Sequence, residues 1–256
     1  MKWFLAFYIN DLPESAGFRL YGPGHLSFLL IIALGAAAVC LAYKRAKPEN
    51  QPRFCRVVAG SCFALELGKQ ILMLVTLPAY PITQLPLHLC GLGIFVQTAD
   101  AFIPRLNKTT REILFSLSMP GAAAALIFPD WPEYPILNFY SSQSFVIHGL
   151  LLCYPLMLLA GRQLRPDWRN LWRPAFFLSL VSIPMHFVNK RLGTNFLFIS
   201  ESSPASPLEL LETRIGSRGY LFGYAALILL VWLVMYAPFI VRDLRNKIFQ
   251  RGNRYS

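Results

Sequence analysis

Apolar residues in this chain run on almost unbroken for the length of a membrane crossing, then stop at clusters of charge. Runs of about 20 such residues cross a hydrocarbon core of about 30 Å, and helices satisfy their own backbone there. Seven runs predict seven helical spans: His25–Tyr43, Phe54–Leu77, Leu85–Ile103, Glu112–Phe128, Phe139–Gly161, Trp172–Val188 and Gly219–Ile240. The fourth is short and opens on a charge. The expected fold class is all-α, a polytopic transmembrane bundle forming a single domain over residues 1–256. Residues 1–24 read as an extracytoplasmic lead-in and 242–256 as a basic tail. The opening "MKWFLAFYIN" resembles a signal peptide, but Asn10 and Asp11 break its apolar run and no small-residue cleavage site follows.

The loops alternate in charge. Lys44, Arg45, Lys47, Arg53 and Arg56 follow the first run; Arg105, Lys108 and Arg111 follow the third. Arg162, Arg165, Arg169 and Arg173 follow the fifth, and Arg242, Arg245, Lys247, Arg251 and Arg254 the seventh. Between them, "AYPITQ" is uncharged, "PDWPEYP" is acidic and the loop after the sixth run is mixed. Positive loops stay inside, which predicts an outer N-terminus and a cytoplasmic C-terminus in a multi-pass protein of the cell membrane.

Composition agrees. The chain is 55% hydrophobic and 14% charged, against about 25% charged in soluble domains. A net charge of +11 raises nucleic acid as a partner, but no basic run is interleaved with aromatics. Cytoplasmic loops account for that charge. The five cysteines (40, 55, 62, 90 and 153) fall in or beside spans, which argues against a disulfide framework and against paired structural zinc spacing.

Polar residues collect toward one side. With about 1.5 Å of rise per residue, His25 opens the first span, while His88 and Cys90 enter the third from the same face. His186 nears the outer end of the sixth, and His148 lies roughly 13 Å down the fifth. Glu66 is midway along the second, and Asn189 and Asn195 lie just beyond the sixth. A lone histidine in a span is more often an interhelical hydrogen-bonding residue than a catalyst. Four on one side, with a cysteine and a carboxylate, favour a site, because intramembrane ionisable groups normally face a cavity or a partner. The bland account of Glu66 is a pair with Lys69, three residues along the same helix.

"LPLHLC" is the densest of these spots. Gln84 and Pro86 read as a helix start, placing His88 and Cys90 near the positive end of the dipole. There a thiol ionises more readily, and unpaired N–H groups can receive an oxyanion. Residues two apart on a helix point about 200° from one another, so the base for Cys90 is expected from another span. His186 matches in depth, with His148 deeper. The bland account of Cys90 is a small packing residue.

"LPLHLC", "FVIHG" and "HFVNKRLGTNFLFISESSP", in that order, resemble the YwaF-like family of bacterial integral membrane proteins, relatives of transmembrane protein 164 of animals. The resemblance runs from His25 to the seventh span. Phe196 departs from it, standing where tyrosine is expected in "GTNY". It implies an enzyme moving a fatty acyl group between phospholipid and lysophospholipid, with Cys90 as acyl-accepting nucleophile. His186, His148 and His88 are then the candidate catalytic partners, and His25, Glu66, Asn189 and Asn195 the candidate substrate-binding residues. No cofactor, metal, nucleic acid or protein partner is expected.

Two rivals use the same residues. A zinc-dependent membrane hydrolase would take three ligands from the histidines and Glu66, although no span carries an H-x-x-x-H pair. A lipid-binding protein or transporter would use the cavity for recognition, although inverted repeats are not evident.

Overall fold

A computed structural model describes residues 3–13, 15–204 and 206–252, and these are helical, with no strand among them. Eight helical segments follow in order: α1 Pro23–Arg45, α2 Gln51–Thr76, α3 Leu89–Phe102, α4 Asn107–Ile113, α5 Met119–Ile127, α6 Phe139–Ala160, α7 Trp172–Leu192 and α8 Pro207–Gly252, the last broken into two helices at Gly216 (φ 73°, ψ 163°). Local chemistry accounts for their ends. Pro23 sits in the first turn of α1, where its missing N–H costs nothing. The Asn138 side chain accepts from the Tyr140 and Ser141 N–H groups to open α6. Gly193, left-handed at φ 64°, closes α7. The basic tail expected from residue 242 begins on α8, and residues 253–256 lie outside those described.

Six helices are long and apolar enough to cross a membrane: α1, α2, α3 with its lead-in from Ile82, α6, α7 and α8. That is one fewer than the seven apolar runs predict. The difference is the fourth run, Glu112–Phe128, whose helix is α at both ends but π over Leu114–Ser118. Pro120 accounts for the interruption. It has no N–H to offer the Ser116 carbonyl four residues back, and its ring crowds that carbonyl. A wider turn relieves the clash. The Trp232 indole N–H, arriving from α8, donates to Ser116 O at 2.9 Å.

The third run also starts differently. Leu85 precedes a proline and is held extended (ψ 142°), so the helix begins at Leu89 instead of Leu85. His88 is its N-cap and lies outside the helical repeat.

α6 is central. Gly149 meets Ile32 of α1, and Gly161 lies so close to the Tyr43 ring that a β-carbon would collide with it. Outward faces of α1, α2, α7 and α8 expose Leu30, Ile31, Leu34, Leu74, Val75, Phe176, Leu180, Phe222 and Val234. Such a continuous apolar surface suits lipid, not water. At the arginine-rich end, Asp100 accepts from Thr110 Oγ1 (2.6 Å) and Tyr154 OH (3.0 Å) and pairs with Arg111 (3.3 Å). Arg111 also donates to Gln163 O. Asp100 is therefore a buried tie between α3, α4 and α6, apart from the histidines.

Candidate functional site

The opposite end holds a cavity of about 580 Å³ between α2, α3, α5, α6 and α8, roofed by the segment leaving α7. Cys90, His88, His148, Glu66 and Asn195 line it; His25, His186 and Asn189 do not.

Cys90 is the second residue of α3. The first intrahelical bond runs from Leu92 N–H to His88 O, so the N–H groups of Leu89, Cys90 and Gly91 have no partner within the helix. Gly91 is needed here because a β-carbon would collide with Pro86 O. The thiol is half-buried and packs toward Cys62, Ile94 and Ile147.

His148 is one residue beyond Ile147. Its Nδ1 lies 2.7 Å from Ser144 O. A carbonyl only accepts, so Nδ1 carries the proton and a neutral ring leaves Nε2 as an acceptor. Trp131 stacks on the ring at 5.2 Å and 20°. The Trp131 indole nitrogen is buried and makes no hydrogen bond.

His88 is extended (φ −70°, ψ 161°), so the 200° helical separation from Cys90 does not apply. Its ring is held between Phe196 and Phe198, at 5.2 and 5.0 Å. The roof carrying these rings bends sharply, with Leu197 at φ 63° and Phe198 at φ 51°. Left-handed backbone at two bulky residues costs energy, and the surrounding bonds sustain it. Asn189 accepts from Phe196 N–H (2.8 Å) and Thr194 Oγ1 (3.0 Å) and donates to Phe196 O (3.0 Å). Asn195 braces Ser200 and Glu201. Tyr220 and Tyr224 donate to Phe198 O and Leu197 O. Both asparagines thus spend their polar atoms shaping the roof.

Glu66 pairs with Lys69 at 3.0 Å and accepts from Gln70 and Gln143. His25 is fully buried, its Nδ1 accepting from Tyr21 N–H, so Nε2 donates to Leu126 O at 2.9 Å. Both nitrogens are committed, Nδ1 to the turn that precedes α1 and Nε2 to joining α1 with α5. His186 is exposed on α7, against the Phe187 ring. The histidines therefore converge in part: His88 and His148 meet Cys90's cavity, whereas His25 and His186 stand apart.

Beyond the spans, the loop after α5 supplies one wall. Asp130 is accessible from the cavity yet crowded by protein, and the loss of water pushes its carboxyl up. Burial, with the Glu133 charge adding, pushes the Tyr134 hydroxyl up to about 12. Trp131 and Phe198 escape a search for ionisable chemistry, although "PDWPEYP" and "LGTNFLF" mark both in the sequence. Among the described residues, no three of His, Cys, Asp and Glu form a group that could hold a metal ion.

Residues 20–236 match the model of the TMEM164 family. No curated protein and no solved structure matches the chain.

Proposed function

The chain belongs to the TMEM164 family, and from that premise we propose that it is a membrane lipid acyltransferase working through an acyl-cysteine at Cys90. The observation that carries this is the meeting, in one cavity, of a thiol at a helix start and an imidazole with an accepting Nε2. Cys90 Sγ attacks the ester carbonyl of a phospholipid while His148 Nε2 takes the thiol proton. The N–H groups opening α3 face the developing oxyanion. Collapse breaks the ester C–O bond, and His148 returns the proton to the departing lysophospholipid. The hydroxyl of a second lysophospholipid then attacks the thioester, His148 relaying its proton, and regenerates the thiol. Water in place of that hydroxyl gives a lipase.

His148 takes the base role in place of His186, which is outside the cavity. His88, pinned by two phenyl rings, orients the start of α3. The seven-span topology, the outer N-terminus and a place in the cell membrane belong to this reading. The zinc alternative lacks a ligand set: His25 and His186 stand outside the cavity, and among the described residues His88, His148 and Glu66, which line it, do not come together as a group that could hold a metal ion.

The test is intact-mass measurement after incubation with a labelled phospholipid. A covalent acyl adduct, absent from Cys90→Ser, supports the reading. Equal transfer by Cys90→Ser overturns it.

A further inference from the structure

Away from Cys90 the cavity changes character. Leu117, Leu178, Leu227, Ile228, Val231 and Trp232 line it there. We propose that this end is an acyl-chain pocket and that Trp232 is its floor, deciding how much of a lipid chain enters beyond Cys90. The proposal rests on the acyl-transfer reading and adds the residue that measures the chain.

Three observations carry it. The first is continuity: one cavity joins the nucleophile's helix start to an apolar wall drawn from α7, α8 and the π segment. A lipid ester has the same division, a polar carbonyl joined to hydrocarbon.

The second is position. Gly121 faces Leu89, and Gly93 faces Ser118, which fixes the level of the π segment against α3. Ser116 lies five residues before Gly121, roughly 7 Å deeper at helical rise. Trp232 is bonded at that depth. A chain leading inward from Cys90 meets the indole.

The third is rigidity. Trp232 is 7% exposed and packs with Ile113 and Leu117. Its N–H fills the place that Pro120 leaves empty at Ser116 O. Turning the ring away strands a donor and an acceptor in an apolar interior, where each is costly to leave unpaired. A side chain so held does not yield to an incoming methylene. The floor therefore imposes a cutoff.

The test reads binding in Cys90→Ser protein, so that no transfer contributes. Lysophospholipids with saturated chains of increasing length displace a fluorescent lysophospholipid from protein in nanodiscs, corrected against empty nanodiscs. Affinity should rise roughly fourfold per methylene until the chain reaches the floor, and then level off. Ile228→Trp, which keeps Trp232 and its bond, should bring the plateau at least one methylene earlier. Trp232→Phe, which recedes and loses the N–H, should delay it by at least one. Both are compared only with an unchanged far-ultraviolet spectrum. If folded Ile228→Trp levels off at the wild-type length, Trp232 is not the end of a chain pocket. Failure of the acyl-enzyme reading is separate: no adduct forms on Cys90 protein, while the plateaus still shift.

Discussion

Two histidines of identical chemistry diverge through what their nitrogens touch. His148 has one nitrogen spent on Ser144 O and the other open to the cavity, whereas His25 has both spent. His148→Ala should lower acyl transfer by roughly 10²–10⁴-fold with little loss of protein, measured as turnover per folded molecule. His186→Ala should transfer at the wild-type rate, and a severe loss there would return the base role to α7. His25→Ala should do the reverse of His148→Ala. It strands a buried carbonyl at Leu126 and costs about 1–3 kcal/mol of stability, seen as a lower melting temperature in detergent. None of this division is visible in sequence. Depth along a span is legible there, but which way a side chain turns depends on the helix beside it. His186 matches Cys90 in depth and yet faces out. His88 would point away from Cys90 on a continuous helix, and Pro86 takes it off that helix.

Elements were more legible than their interruptions. Spans one, five and seven announce themselves because their apolar runs are long and end beside arginine or lysine. The fourth hides because its middle is a π turn, and the reason lies in two residues, Pro120 and its partner across the bundle, Trp232. The roof after α7 was visible as a motif and not as a shape, since nothing in "LGTNFLF" announces left-handed backbone at Leu197 and Phe198. Asn189 holds that shape with three hydrogen bonds while 3% exposed. Asn189→Ala should therefore cost about 1–3 kcal/mol and speed amide exchange at residues 196–198. Asn189→Asp, which keeps the two accepting bonds, should recover part of the protection. Unchanged exchange in Asn189→Ala would mean that the tyrosines of α8 hold the roof alone.

At the scale of the molecule, the bundle divides its polarity between two ends. One end carries the arginine-rich loops and the Asp100 tie; the other carries the cavity. On the proposed orientation, with the positive loops inside, the cavity lies on the outer side. A cysteine introduced within 130–135 should then react with an impermeant maleimide on intact cells, and one within 246–256 only after permeabilisation. Labelling in the opposite sense would put the cavity, and any lipid it takes, in the inner leaflet. The alternation was legible because loop charge is read directly from residues. The cavity was not, since it arises from helices distant in sequence leaving space among themselves.

Trp131 lies flat on His148 with its indole nitrogen unpaired, in the wall of the cavity. An excited indole is sensitive to the polarity beside it and to a charged imidazolium in van der Waals contact. A guest arriving near His148 changes both, so the chain carries its own optical reporter of occupancy. Only five tryptophans contribute to the emission, and the difference between wild type and Trp131→Phe isolates this one. Addition of lysophospholipid should change that difference signal in Cys90→Ser protein, before any bond is made. The cavity's filling can then be followed in time by light alone.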